Sequence, residues 1–318
     1  MLCEARKLTH VAYLRRDPVL PELLGIRRVA SQSVLSRFFQ GFGSAGGNLL
    51  WFRPLWHRCL DRLPSRKEGY TLELDSTRPL HEDGHQEGVA VGFTRQGLKP
   101  CLLLLTVMAE MRLVAQLWLR PGNTACGGNV KVFFLDLWEN LLSHLRLRGA
   151  RADAGFCLPE LLVLWEQLKL PYVVVAQLSQ PIQKLIKGGL VWTTTEVLGT
   201  EVAELEYQSR NWPYPRRLVL IRHRMREDEG RVGKRLPDVP GYCFQTLVTS
   251  LPTTTYSPLA VWRYYNGRAD CENVIKDLQA GFALPTLCPE KFWASEAVLS
   301  LATLTYNLTV LFQRHLGC

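Results

Sequence analysis

Three acidic residues stand where paired strands and a helix could gather them. Asp75 closes the alternating run Tyr70-Thr71-Leu72-Glu73-Leu74-Asp75, Asp153 follows Arg151-Ala152, and Glu272 lies in a helical stretch over residues 265–276. Ionised carboxylates held side by side repel one another, and a divalent cation relieves that cost. Mg²⁺ suits such a site, because it prefers oxygen ligands and keeps several waters. Two ions about 4 Å apart can activate an attacking oxygen and stabilise a leaving one at a phosphodiester. Around Glu272, the residues Tyr265, Arg268, Lys276 and Gln279 recur three or four apart, so the spacing predicts one helical face. That face offers an aromatic ring, a guanidinium fork, a carboxylate and an ammonium to a metal and its neighbouring DNA phosphates. Each piece also has a plain reading. A strand-end Asp is commonly a turn or cap residue, Asp153 before Ala154-Gly155-Phe156 could begin a turn, and Arg268 with Glu272 could be a surface ion pair worth roughly a few tenths of a kcal/mol.

The elements needed to position these acids can be sketched from periodicity. The run at 70–75 reads as a half-buried strand ending on an acid, and residues 88–93 and 101–108 read as two more, making a three-stranded antiparallel meander. Residues 130–147 have helical apolar spacing at Phe133, Phe134, Leu137, Leu141 and Leu145. A short strand through Asp153, a Pro-started helix at 159–168 and a buried strand at 172–176 follow. Residues 180–255 hold strand-like pieces with basic loops between them, and 257–280 and 291–314 read as helices. The predicted fold is α/β: a mixed sheet flanked by helices, preceded by a helical region and interrupted by a β-rich insertion. The boundaries fall at 1–66 (helical, a possible DNA-binding region), 67–179 (first part of the catalytic domain), 180–255 (inserted β-rich subdomain) and 256–318 (helices completing the catalytic domain). Within the first region, a short helix ends at Gly25 and a second is capped by Ser31, which fits either a helix-turn-helix or an ordinary helical hairpin.

Composition narrows the partners. The chain of 318 residues has a formal net charge of +9, with 47% hydrophobic residues. Residues 1–70 hold twelve Lys/Arg against five Asp/Glu, and residues 206–240 hold nine against five, so two basic segments flank a near-neutral remainder. Such clustering suits a polyanion. The longest apolar stretch, residues 101–109, is about half of the ~20 residues a membrane-spanning helix needs, and no apolar leader core follows the N-terminus, so a soluble cytoplasmic protein without a membrane partner is expected. The nine cysteines include no CxxC pair, which points to reduced thiols rather than a zinc or redox site.

The same residues carry a family likeness. Tyr265, Arg268 and Glu272 match the first three letters of the Tyr-x2-Arg-x3-Glu-x6-Lys signature of a large group of DDE-type bacterial insertion-sequence transposases, and the signature Lys falls on Gln279, with Lys276 nearby. The segment Leu72-Glu73-Leu74-Asp75-Ser76-Thr77 resembles that group's first Asp motif and Arg151-Ala152-Asp153-Ala154-Gly155-Phe156 its second. Leu119-Arg120-Pro121-Gly122-Asn123-Thr124 and Thr305-Tyr306-Asn307-Leu308 resemble further segments, in order, from about Asp17 to Phe312. The resemblance implies an RNase H-like fold, catalytic and metal-holding Asp75, Asp153 and Glu272, and Mg²⁺ or Mn²⁺, two ions, as cofactor. It implies cleavage at terminal inverted repeats and strand transfer into target DNA, with double-stranded DNA as partner and a homodimer in the DNA complex. Tyr265 and Arg268 would contact DNA, with Lys276 standing in for the signature Lys. Trp192 and Trp212 could stack on an unpaired base, the alternative being buried core tryptophans. Against relatives the chain reads as shortened at both ends. The rival readings are a DNA-binding remnant without catalysis and an RNase H-like nuclease without strand transfer.

Overall fold

Period-two alternation sets the first strand. In the computed structural model, which describes residues 7–78, 85–90, 100–125, 127–225, 233–282 and 289–317, β1 spans Tyr70–Thr77. Leu72 and Leu74 enter one hydrophobic core, while Glu73 and Asp75 meet arginines on the other face. β2 (Leu102–Met108) and β3 (Leu113–Arg120) complete an antiparallel meander. The strand expected at 88–93 is corrected: residues 88–90 are turn and loop, and 91–93 lie outside the described residues. The third strand is β3, whose sequence LVAQLWLR is apolar almost throughout and buried along most of its length, so it lacks the alternation that marks a half-buried strand.

Helix α5 (Val130–Glu139) then leads to β4 (Leu147–Ala152), and α6 (Pro159–Gln167) to β5 (Tyr172–Val175). α5 ends well before residue 147, because the chain must turn to feed β4 between β1 and β5. β4 pairs parallel with both. The order β3-β2-β1-β4-β5, three antiparallel strands followed by two parallel ones, is a mixed sheet of the kind expected from the sequence.

Residues 180–255 open with a helix that the strand-only expectation missed, α7 (Gln180–Lys187), which buries Ile182 and Ile186, four apart on one face. β6 (Thr193–Thr194), β7 (Thr200–Tyr207), β8 (Arg216–Arg224), β9 (Lys234–Arg235) and β10 (Tyr242–Thr249) follow. β10 pairs antiparallel with β5 and β8, so the β-rich segment continues the main sheet as β5-β10-β8-β7-β6, with β9 added on β10.

Helices cover both faces. α5 and α6 bring Phe133, Phe134, Leu161, Leu162 and Trp165 onto Leu72, Leu74, Ala150, Ala152 and Val174. Truncating a side chain such as Trp165 there would cost about 3–5 kcal/mol. The other face carries α8 (Pro258–Asn266), α9 (Ala269–Ala280), α10 (Phe292–His315), α3 (Gln32–Gln40) and α4 (Ala45–Leu60). The single helix expected over 257–280 is two, broken at Gly267 and Arg268. A Cβ on Gly267 would press on the Arg151 guanidinium, so a larger residue there would have to move that side chain.

α10, with 24 residues, is long and apolar enough to cross a bilayer by length and composition, yet most of it is buried in the protein. Asn307 satisfies both backbone groups of Val114, and Glu296 accepts the Leu119 N–H, so α10 covers the edge strand β3. Ahead of α3 lie two short helices, α1 (Val11–Leu14) and α2 (Val19–Leu23). Ser31 caps α3 as expected, accepting from Val34 N–H at 3.3 Å, and Phe39, Phe42, Phe52 and Trp56 bind α3 and α4 into the second core.

Candidate active site

The β1–β4 register decides where two of the acids go. Leu74 lies opposite Ala152, so Asp75, near the end of β1, and Asp153, just past the end of the parallel strand β4, are neighbours. Asp75 is buried at 8% exposure. Its Oδ1 accepts the Ser76 N–H at 2.7 Å, and its Oδ2 lies 2.7 Å from Nη2 of Arg268. Asp153 is half-buried and caps a single 3₁₀ turn over Ala154–Phe156, accepting the Gly155 N–H at 2.8 Å. The turn reading and the site reading of Asp153 therefore hold together: one oxygen fixes the loop. Glu272 is exposed on α9.

Electrostatics tie the three together. Burial pushes the Asp75 carboxyl above the ordinary carboxylate range; Arg268 and the Ser76 N–H pull it back, and the charges of Asp153 and Glu272 push it further up. Burial works against the Arg268 charge, but Asp75, Tyr265, Cys271 and Asp153 outweigh it and hold the guanidinium protonated. Burial also raises the Tyr265 phenol, with the Arg268 charge pulling it down and those of Asp153 and Asp75 pushing it up. Cys271, fully buried beside Asp75 and Glu73, is held as a thiol far above its ordinary range, first by burial.

The helical face predicted from spacing is divided between two helices. Tyr265 ends α8, Arg268 is buried in the break, and Glu272 and Lys276 are exposed on α9. Arg268 makes its ion pair with Asp75, the long-range partner, in place of the i, i+4 pair with Glu272 that spacing allowed. Gln279, at the signature Lys position, donates to Thr77 Oγ1 at 2.7 Å and so joins α9 to the end of β1.

Spacing gave no warning of the pair beneath the site. Glu73, with a wholly buried side chain, pairs with Arg151. Arg151 also donates to the Tyr264 carbonyl at 2.6 Å and lies 5.2 Å from that ring's centre. The alternation of β1 places Glu73 on the same face as Asp75, but only the parallel pairing Glu73↔Arg151 supplies its partner. Losing one member of such a pair costs about 3–5 kcal/mol, because the other charge stays buried and uncompensated.

The donor set suits a hard divalent cation: three carboxylates, two at neighbouring strand ends and one exposed across from them, all within electrostatic reach of Asp75. The expected approach of three carboxylates close enough to share a metal needs correction. Among the described residues no three His, Cys, Asp or Glu side chains are grouped tightly enough to hold one. Like charges spread apart, and Arg268 takes up the most buried of them. A cavity of about 640 Å³ lies elsewhere, between α4, β3 and α10, and none of the three acids lines it. Trp212, expected as a possible base-stacking ring, is buried with the Arg216 guanidinium 5.2 Å from its ring centre, so it offers no open face. Trp192 is partly buried against Phe244, with Arg222 4.4 Å from its ring centre.

The family model described as "Transposase DDE domain group 1" matches residues 1–316. The chain belongs to the DDE transposases. A solved structure, a cryo-EM piggyBac transposase synaptic complex with hairpin DNA, is similar over 91% of this chain at 11% identity and a TM-score of 0.45. The present transposase spans 57% of that chain. No curated protein matches it.

Proposed function

We propose that this DDE transposase cleaves DNA at the terminal inverted repeats of a mobile element and joins the freed 3′-hydroxyl to target DNA, with Asp75, Asp153 and Glu272 as its catalytic carboxylates. The observation that carries this reading is the emergence of Asp75 and Asp153 side by side from β1 and β4, with Glu272 in electrostatic range. Mg²⁺ or Mn²⁺, as one or two ions held by these acids, would polarise the phosphodiester and activate the attacking oxygen. The chain's own residues do the remainder. Asp75 and Asp153 present oxygens from rigid strand ends, which keeps them in register with each other. Glu272 closes the set from α9. Tyr265, Arg268 and Lys276 face the same region and offer donors to the DNA phosphates. Hydrolysis breaks one P–O bond and releases a 3′-hydroxyl; strand transfer then exchanges one phosphodiester for another, so it needs no further energy source.

The DNA itself would be held by exposed cations. In the first basic segment Arg15, Arg16, Arg27, Arg28 and Arg37 are exposed. In the second, Arg216, Arg217 and Arg222 pair with Glu166, Glu204 and Glu201, so they add less to phosphate binding. We place the protein in a bacterial cytoplasm, on nucleoid DNA, acting as a homodimer when the two element ends are held together. The test is cleavage and strand transfer of a labelled inverted-repeat end with Mg²⁺ or Mn²⁺. Glu272→Ala should abolish cleavage and keep DNA binding. Cleavage equal to wild type would remove the catalytic assignment. Binding without cleavage by wild type would leave a DNA-binding protein only, and cleavage without joining a nuclease.

A further inference from the structure

Arg268 already gives Asp75 a cation. The two side chains are 10% and 11% exposed and meet at 2.7 Å. The guanidinium sits in the break between α8 and α9, where Gly267 passes over Arg151, and it also reaches the Leu74 carbonyl at 3.5 Å. It pairs with Asp75 and not with Glu272, four residues further along the chain on α9. A carboxylate oxygen engaged in this way has fewer lone pairs for a second cation, and the guanidinium charge repels a divalent ion at close range.

A guanidinium recognises carboxylate and phosphate with the same planar fork. Exchange of Asp75 for a phosphodiester oxygen therefore preserves the hydrogen bonding of Arg268 and breaks no covalent bond. We propose that Arg268 is an internal stand-in for the site's divalent cation: it occupies Asp75 in the DNA-free protein and passes to a DNA phosphate when the cation takes its place. The exchange rests on the metal-site reading of Asp75, Asp153 and Glu272. It makes metal affinity low without DNA and ties the two bindings together, each strengthening the other by the same factor.

The experiment is Mn²⁺ binding to the whole chain without DNA, followed by the loss of the free Mn²⁺ paramagnetic resonance signal. Arg268→Gln should tighten Mn²⁺ binding about tenfold, the equivalent of about 1.4 kcal/mol. Unchanged or weaker binding in a folded Arg268→Gln protein overturns the exchange. Wild type gives an independent reading through the side-chain Nε–Hε resonance of Arg268. Mg²⁺ should shift it as the pair with Asp75 opens, and a resonance that stays in place at saturating Mg²⁺ also overturns the proposal. Asp153→Asn and Glu272→Gln separate the two levels. If they weaken Mn²⁺ binding while Arg268→Gln fails to tighten it, the metal site stands and only the stand-in role falls. If neither variant changes Mn²⁺ binding, the metal-site reading fails and the exchange with it.

Discussion

Two carboxylate–arginine pairs in this protein look alike in composition and differ in purpose. Glu166 on α6 receives both arms of Arg216, at 2.7 and 2.8 Å, together with the Tyr172 hydroxyl at 2.6 Å and the Tyr214 hydroxyl. Burial alone would raise its pKa, but these hydrogen bonds outweigh burial and hold Glu166 below the ordinary carboxylate range. Asp75 has one arginine contact and one backbone N–H, with Asp153 and Glu272 crowding it, and its pKa moves up. A carboxylate whose lone pairs are filled by donors is a completed joint, here fastening α6 to β5 and β8. A carboxylate pressed by like charges still lacks positive charge. The second kind is the one suited to catalysis.

The comparison predicts opposite failures. Asp75→Asn should reduce DNA cleavage by roughly a thousandfold or more, about 4 kcal/mol of lost transition-state stabilisation, and should lower the urea midpoint less than Glu166→Ala, because the amide oxygen still accepts from the buried Arg268. Glu166→Ala should do the reverse, lowering stability by about 3 kcal/mol because Arg216 is left buried without its partner. Single-turnover cleavage and urea denaturation on both variants check the contrast; a Glu166→Ala protein with wild-type stability would break it.

A smaller effect should appear in pH dependence. Asp75 is raised in the folded protein, so its contribution to stability is present below its unfolded pKa and is lost as pH rises through the folded value. Glu166 is lowered, so its contribution is present above the unfolded pKa and is lost as pH falls through the folded value. Without metal, wild type should therefore lose stability relative to Asp75→Asn as pH rises from the acid range toward neutrality. Relative to Glu166→Gln it should lose stability on acidification. Millimolar Mg²⁺ should flatten the first trend and leave the second alone, which thermal melting across pH can follow.

The smallest change concerns position 279. Gln279 holds Thr77 through a neutral hydrogen bond. Gln279→Lys adds one cation near the acids and should strengthen DNA binding a few-fold at low salt, with the advantage fading as salt rises by about one counterion's worth of slope. Equal affinity at every salt concentration would show that this position does not meet phosphate.

Periodicity and residue type were enough to read β1, α6 and β5 closely and the helical wrapping of the sheet. They were readable because each depends on local rules: alternation in a strand, apolar spacing in a helix, an acid at an element's end. What local rules missed were features set by distant neighbours. β3 is buried over most of its length and shows no alternation, so period-two patterning does not reveal it. The helix expected over 257–280 is broken at Gly267 and Arg268, where Arg151, 116 residues away in sequence, packs close to Gly267. Arg268 pairs with Asp75 instead of Glu272, and Glu73 with Arg151, through parallel strand pairing and helix docking that spacing does not encode. The sequence by itself offered Asp75, Asp153 and Glu272 as the acids of the proposed site. Which cation each of them faces was decided only by tertiary structure, because a buried charge takes the partner that the packed chain brings within hydrogen-bonding distance, whatever their separation along the sequence.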